Sequence, residues 1–375
     1  MIKGKDFVFT GLQPWDIPIG SNAKDIALEV SKNNRVLYIN APRKGIGKYK
    51  LNRITNSLWT LDIPIKKFPI NFLPDGRIFD FVNRFNQKRM LPYIKLALKT
   101  LSFDNPVLFI DNDIYNSFYM PELIDNDLSI YYRRDNMISS YWKKHAPRLE
   151  PLLIGKCNLV VTNSIQLAES VSRFNENVHS IGQGMDLEKY NISNKYIMPE
   201  DMNNIPKPII GYAGWVTSRR LDDELIYQIA LNCPSYSFVM VGGEDEFFQK
   251  NKLHSLNNVI FLGQKKDSEI PNYIYNFDVC FNPQKVNDIT IGNYPRKVDE
   301  YLALGKPVIA TKTKAMEMFE NYVFNCNGAE EYIKAINTAL NDNSVEKTGS
   351  RIEFAMSHSW ANTVNALYSH INIKK

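Results

Sequence analysis

Cysteine is scarce: Cys157, Cys233, Cys280 and Cys326 are scattered through 375 residues, with no Cys-x-x-Cys pair and no neighbouring histidine. That excludes a disulfide framework and a zinc site of the usual spacing, and buried thiols are the expectation. The five histidines (His145, His179, His254, His358 and His370) show no metal-like spacing. No apolar run approaches the roughly 20 residues that a membrane-spanning helix needs. Low-complexity tracts and internal repeats are missing too. The chain runs from Met1-Ile2-Lys3-Gly4 straight into Phe7-Val8-Phe9 without an apolar leader, so a cytoplasmic location is expected. Gly-x-Gly occurs at Gly45-Ile46-Gly47 and Gly182-Gln183-Gly184, but neither continues to a third glycine. An ordinary dinucleotide-dependent dehydrogenase is therefore disfavoured.

What is present describes a globular α/β protein. Hydrophobic residues make up 44% and charged residues 23%, and a chain of this length suits two domains. Short apolar runs alternate with helical segments, the pattern of a mainly parallel sheet covered on both faces. In the first half the runs are Phe7-Val8-Phe9, Val36 to Ile39, Val107 to Ile110, Ser129 to Tyr132 and Leu159 to Val161, with helices such as Ala23 to Ser31 and Ile165 to Phe174. A polar, proline-containing stretch from Asn191 to Pro208 reads as a linker. The pattern restarts at Ile209 to Tyr212 and continues through Ser237 to Val241, Val259 to Leu262, Val279 to Phe281 and Val308 to Ala310. The expected division is 1–190, a linker at 191–207, 208–350, and a terminal segment at 351–375.

The most informative stretch is Tyr294 to Thr311. Pro295 suits a first helical position, Gly305 suits the left-handed residue that stops a helix, and Val308-Ile309-Ala310 suits a buried strand. The helix should run about three turns. Arg296 and Lys297 then stand where the helix dipole is positive, a cost of about 0.3–1 kcal/mol per charge. Two explanations fit. Both cations pair with Glu300 at i,i+4 and i,i+3 on a solvated face. Alternatively they join free backbone N–H groups and the Gly292-Asn293 loop in holding a phosphate or diphosphate, with Glu300 accepting from a ribose hydroxyl.

This stretch resembles the donor-nucleotide helix of retaining glycosyltransferases with the GT-B fold, the group 1 or family 4-like enzymes. Glu300, Gly305, Pro307 and Val308 occupy the family's pattern. Pro295, Lys297, Glu300 and Tyr301 resemble its subgroup acting on teichuronic-acid-type and other bacterial surface polysaccharides. Ile181 to Asp186 resembles the Asn-Gly-Val-Asp segment that closes the family's N-terminal domain, with Gln183 in place of Asn. Ser359-Trp360 resembles the Ser-Trp signature before a C-terminal helix that crosses back to the first domain. The resemblance implies α/β architecture with two Rossmann-like domains facing across a cleft, the first for acceptor and the second for a nucleotide-sugar donor. It also implies a hexosyltransferase that retains configuration, with no metal and no cofactor beyond the donor substrate.

By that resemblance, Arg219 or Arg220 in the Gly211 to Arg220 segment meets the donor diphosphate, with Arg220 preferred; an arginine suits the role because its planar fork can bind two phosphate oxygens, which a lysine cannot copy. Arg220 also stands where it can pair with Asp222, Asp223 or Glu224. Lys297 joins Arg220 at the leaving phosphate. Gly214, Gly242, Gly263, Gln264, Asn293, Tyr294, Arg296 and Glu300 complete the donor side. At Gly242 close packing competes with base contact, and Lys265 and Lys266 read as solvated charge. The family's second acidic residue, eight positions before the helix glutamate, is replaced by Gly292. Asp135 falls where the family keeps a polar residue facing the reacting sugar, and a turn aspartate explains it equally. Gln13, Trp15 and Asp16 border the acceptor side, where Trp15 either stacks on a sugar or packs. Asp111-Asn112-Asp113 is a formal Asp-x-Asp, but Asp125-Asn126-Asp127 repeats it, and neither is assigned a metal.

Basicity is local. Between Arg43 and Lys99, thirteen Lys/Arg face three Asp/Glu, a local +10 that leaves the rest of the chain at −5. Phe79 to Lys99 reads as a basic amphipathic helix interrupted near Pro92, either packed with a basic outer face or touching the inner face of the cell membrane. The expected acceptor is a glycan or a polyprenyl-linked glycan, and nucleic acid is not an expected partner. The competing functions are a GT-B nucleotide-sugar epimerase and a non-enzymatic nucleic-acid or acidic-polymer binding protein using residues 43–99.

Overall fold

Residues 2–17, 20–43, 47–137, 142–288, 290, 294–341 and 343–371 are described in the computed structural model. The chain forms two units, Met1–Gly184 with Trp360–Lys375, and Met185–Ser359. In unit 1 the apolar runs become strands β1 (Asp6–Gly11), β2 (Arg35–Ile39), β3 (Lys50–Arg53), β4 (Leu58–Asp62), β5 (Val107–Asp111), β6 (Leu128–Arg133), β7 (Leu159–Thr162) and β8 (Val178–Ser180). Their order is β3-β4-β2-β1-β5-β6-β7-β8, with only the β3–β4 edge antiparallel. Unit 2 contains β9 (Ile209–Ala213), β10 (Ser237–Val241), β11 (Val259–Gly263), β12 (Val279–Asn282), β13 (Val308–Thr311) and β14 (Val323–Cys326), in the all-parallel order β11-β10-β9-β12-β13-β14.

Alternation along the strands divides each core in two. Val8 packs with Leu37 and Leu108 on one face of the first sheet, while Phe7 and Phe9 pack with Val36 and Phe109 on the other. Both sheets reverse direction of growth beside their first strand, between β1 and β5 and between β9 and β12. In open α/β sheets a ligand binds outside the strands' carboxyl ends at such a switch point.

Several boundaries differ from the sequence reading. β3, β4, β8 and β14 were not anticipated: β3 is a polar edge strand and β8 only three residues long, and edges carry weak apolar signals. Residues 191–208 are part of unit 2 rather than a free linker, since Tyr190 and Met202 are buried in its core and Tyr196 and Ile205 pack against it. The division falls after Gly184 rather than at 190. Residues 351–357 belong to the unit 2 helix Val345–Ser357, and only the helix Trp360–Ser369 returns to unit 1. The helix Arg77–Leu101 runs unbroken through Pro92. Among the described residues no helix is long and apolar enough to cross a membrane.

Where the chain leaves unit 1 and re-enters it, the two segments are matched by shape. A Cβ added to Gly184 would lie 2.4 Å from the Trp360 ring. On the unit 2 side, Met185 bridges Ser359 in parallel and its N–H donates to the His358 carbonyl at 3.0 Å. Gly184→Ala should therefore cost about 1–3 kcal/mol by overpacking, read as a lowered urea midpoint. In a Trp360→Ala background the same change should cost much less, and an equal cost in both would remove the proposed contact.

Candidate functional site

At the carboxyl ends of β9 and β10 the backbone closes to a distance only glycine permits. Gly214 and Gly242 have φ of +144° and +150°, and a Cβ on Gly242 would stand 1.9 Å from the Gly214 carbonyl oxygen. Packing therefore accounts for Gly242. The Gly242 N–H donates to the Gly263 carbonyl at 3.0 Å, and the Gly214 N–H donates to Val241 at 2.8 Å. Tyr301, buried on the helix Arg296–Ala303, fixes the end of β9 by accepting from the Ala213 N–H at 2.8 Å. A side chain on Gly214 would meet Lys297 Nζ at 2.7 Å. The missing Cβ is what gives the lysine its place.

Lys297 does not pair with Glu300. Its ammonium sits 3.9 Å from the centroid of the Tyr212 ring and donates to the Tyr212 hydroxyl. Loss of hydration, followed by the neighbouring Arg220, pushes its pKa down to about 7, against a smaller upward pull from Glu300. An approaching anion would reverse that shift.

Arg220 is half-buried and Arg219 exposed. Among the described residues no carboxylate pairs with Arg220: Asp222 caps the helix Asp223–Asn232 by accepting from the Leu225 N–H at 3.0 Å, Asp223 pairs with Lys285 at 3.1 Å, and Glu224 pairs with Lys252 at 2.6 Å. The turn carrying both arginines is held by Asp245, which accepts from Ser218 N at 2.7 Å, Ser218 Oγ at 2.8 Å, Thr217 Oγ1 at 2.9 Å and Phe248 N at 3.0 Å. Burial pushes the Asp245 carboxyl up, but these bonds prevail and hold it below the usual carboxylate range.

Arg296 does pair with Glu300, at 3.3 Å across one turn. Burial raises the Glu300 carboxyl, opposed by Arg296, Lys189 and Lys297, and Tyr190 also hydrogen-bonds to it. The helix is eight residues long, shorter than three turns. Its amides are not all free, because Arg296 N donates to Tyr294 O at 3.0 Å and Val298 N to Pro295 O at 2.8 Å. Tyr294 is turned inward: its hydroxyl donates to Asp299 at 2.6 Å and its ring packs edge-on against Phe319. The fully buried Asp299 also bonds His358 Nδ1 at 2.7 Å. The side chain of Tyr294, a residue expected on the donor side, thus anchors the start of the helix. Asn293 and Gly292 lie outside the described residues.

Gln264 is exposed, accepting from Gly243 N at 3.2 Å and donating to Lys265 O at 3.1 Å. Lys265 is not solvated charge but pairs with Asp201 at 2.7 Å. Trp215, to which the sequence assigned no role, is 57% exposed, with its ring beside Gly243. Tyr190, Asp245 and His358 were likewise missed, since each acts through space on a residue far away in sequence. For Trp215 the signal was its place directly after Gly214.

In unit 1, Asp135 pairs with Arg134 at 2.7 Å, and Arg134 also holds the fully buried Asp111 at 2.9 Å. Asp113 accepts from Tyr115 N and Asn116 N, both at 2.9 Å. The Asp-x-Asp carboxylates are thereby engaged inside the unit. Trp15 packs edge-on against Tyr38 at 5.3 Å, so packing explains it. Asp16 forms a two-pronged pair with Arg43 at 2.7 and 2.8 Å. The Gln13 carbonyl accepts from the Tyr38 hydroxyl at 2.8 Å, and its buried side-chain oxygen has no partner among the described residues.

Residues 207–342, which carry every unit 2 residue from Gly214 to Glu300 discussed above, match the family model of the glycosyl transferases group 1. A protein of Bacillus subtilis (strain 168), named as a candidate teichuronic acid biosynthesis glycosyltransferase, is 25% identical over 255 residues, covering 64% of this chain and 64% of that relative's length. Sucrose-phosphate synthase from Thermosynechococcus elongatus shares the fold with a TM-score of 0.71 at 14% identity, over 97% of this chain and 98% of that one. Anabaena HepE in complex with UDP does so with a TM-score of 0.66 at 16% identity, over 99% and 100%. The two parallel-rich α/β sheets are those of GT-B structures.

NMR of lysines labelled at Cε should show a signal, missing in Lys297→Met, that titrates near pH 7. Arg220→Met should raise that midpoint and Glu300→Gln should lower it, given the directions in which those neighbours act. A Lys297 signal that titrates with the ordinary surface lysines would refute the desolvated placement.

Proposed function

We propose that this chain, a group 1 glycosyltransferase through its second unit, moves a sugar from a nucleoside diphosphate to a glycan or lipid-linked glycan acceptor in bacterial surface polysaccharide biosynthesis. The observation that carries the reading is the pair of cations, Lys297 and Arg220, that have no carboxylate partner among the described residues and stand at the carboxyl ends of the strands beside the β9–β12 switch point. Cations left without a carboxylate suit an anionic ligand, and a diphosphate matches both their number and the forked guanidinium.

In this reading the bond between the anomeric carbon and the leaving oxygen breaks, and the diphosphate departs with the electron pair. Lys297 gains its proton as the diphosphate arrives, and with Arg220 it stabilises the charge that grows on the leaving phosphate. The acceptor hydroxyl oxygen attacks from the same face and passes its proton to that phosphate, which retains configuration without a separate base. Retention and independence from metal are supported by family resemblance. Glu300, held by Arg296 and Tyr190, suits a ribose hydroxyl. The assignment of Asp135 to the reacting sugar is supported by resemblance alone. The same reading places the protein at the inner face of the cell membrane, where a lipid-linked acceptor would lie, and the local +10 of residues 43–99 supports it.

Calorimetry with UDP, GDP, ADP, TDP and CMP, with and without magnesium, is expected to show one preferred diphosphate, weakened by Glu300→Ala and indifferent to the metal. Binding should take up a proton and lose affinity as pH rises above about 7, because the lysine is half neutral there when free and charged when bound. Lys297→Ala should lower turnover about 10²- to 10³-fold while leaving the thermal midpoint nearly unchanged. A protein that binds none of the diphosphates would sink the proposal, and one that converts a sugar nucleotide without any acceptor would be an epimerase.

A further inference from the structure

The helix Arg77–Leu101 in unit 1 mixes polar and apolar residues on both faces. Its buried face carries three amides, Asn83, Asn86 and Gln87, while Ile78, Phe81 and Phe85 on the outer face are 63%, 73% and 45% exposed. A single exposed aromatic is ordinary, whereas a cluster marks an interaction surface. Two more lie alongside in the preceding segment, Phe68 at 53% and Phe72 at 69% exposed.

Beneath this face, a cavity of about 360 Å³ opens between residues 67–72 and the helix. Two of the amides are satisfied: Asn86 exchanges bonds with Phe68 N and O at 2.9 and 2.8 Å, and Gln87 reaches Tyr115 O and Tyr119 N, both at 2.8 Å. Asn83 is not. It lines the cavity at 1% exposure, and its Nδ2 has no hydrogen-bond partner among the described residues. Lys67 lines the cavity as well. Its ammonium donates to the Asn116 side-chain oxygen rather than to a carboxylate, and burial pushes its pKa down against a smaller upward pull from Asp113. The groups left to satisfy are thus donors, which suits a ligand rich in acceptor oxygens.

The rim decides what carries those oxygens. Arg89 lies 5.4 Å from the Phe68 ring and 5.9 Å from the Phe85 ring, and Lys66, Arg77, Arg84 and Lys88 are exposed nearby. The acidic neighbours Asp75 and Asp80 are both taken by Arg148, at 2.7 and 2.8 Å. Cations interleaved with exposed aromatics complement an anionic bilayer, where the rings enter the headgroup region and the charges meet phosphate. A soluble phosphate ester would leave the aromatics unexplained.

We propose that this pocket holds the phosphate of an anionic phospholipid headgroup, with Phe68, Phe72, Phe81 and Phe85 set in the bilayer interface. The site deepens the membrane part of the functional reading and stands independently of its donor part, since every residue involved belongs to unit 1.

The test is flotation of the full chain with vesicles of phosphatidylcholine alone or phosphatidylcholine with phosphatidylglycerol, alongside calorimetry with UDP and with glycerol 3-phosphate. Binding is expected only with the anionic vesicles. Lys67→Met should weaken it about fivefold, and Phe81→Ser/Phe85→Ser, a change confined to the exposed face, should weaken it roughly tenfold or more. All variants should keep the wild-type response to UDP and the wild-type thermal midpoint. Equal binding to neutral vesicles, or none to either, overturns the proposal. So does loss in the phenylalanine variant with full retention in Lys67→Met and Asn83→Leu, which would leave the pocket without a role. Tight binding of glycerol 3-phosphate with no flotation would replace the bilayer with a soluble ester.

Discussion

An ammonium lodged against the Tyr212 ring without a carboxylate to neutralise it is the constraint around which unit 2 is arranged. A lone buried charge is costly, and the usual remedy is to pair it or to let it shed its proton. Here the proton is loosened and the pairing withheld. Glu300, one turn away, is drawn to Arg296 and Tyr190. Gly214 gives up a side chain to make room, Tyr301 fixes the strand end beside it, and Asp245 braces the turn that presents Arg220. The Tyr301 and Asp245 bonds are favourable in themselves, whereas the Lys297 ammonium left without a carboxylate is not, and in the proposed function an anionic ligand offsets that cost.

Much of this was legible in the chain. Among the described residues, ten of the fourteen strands are short apolar runs ending at glycine or polar residues, and the two cations at the start of the candidate-site helix stand in the sequence. What was not legible depends on contacts through space. The sequence allowed Arg296 and Lys297 the same partner, and only the fold separates them, because Lys297 meets the end of β9 while Arg296 does not. Tyr294 and Trp15 fell in loops where an aromatic side chain has no periodicity to say which way it faces, and both turn inward. Trp215, equally ambiguous, turns out.

The helix Arg77–Leu101 makes the same point in reverse. Its apolar residues suggested one buried stripe, yet Phe79 and Met90 go inside while Phe81 and Phe85 stay outside, and three amides share the inner face. The amides are used there because the backbone at Phe68 and the groups at Tyr115 and Tyr119 need partners that no apolar side chain supplies. A pattern of polarity alone could not show that requirement.

The return of the last helix to unit 1 bears on the order in which the molecule is made. Domains fold as units, the amino-terminal one first, as they leave the ribosome. Here the first unit lacks a wall of its core until unit 2 has been synthesised. Val364, Leu367 and Tyr368 pack with Phe7, Ala23, Ile26 and Val36, and the Tyr368 hydroxyl accepts from Asn34 at 2.8 Å. Unit 1 is therefore begun before unit 2 and closed after it, and it must wait with an open apolar seam while the whole of unit 2 is translated.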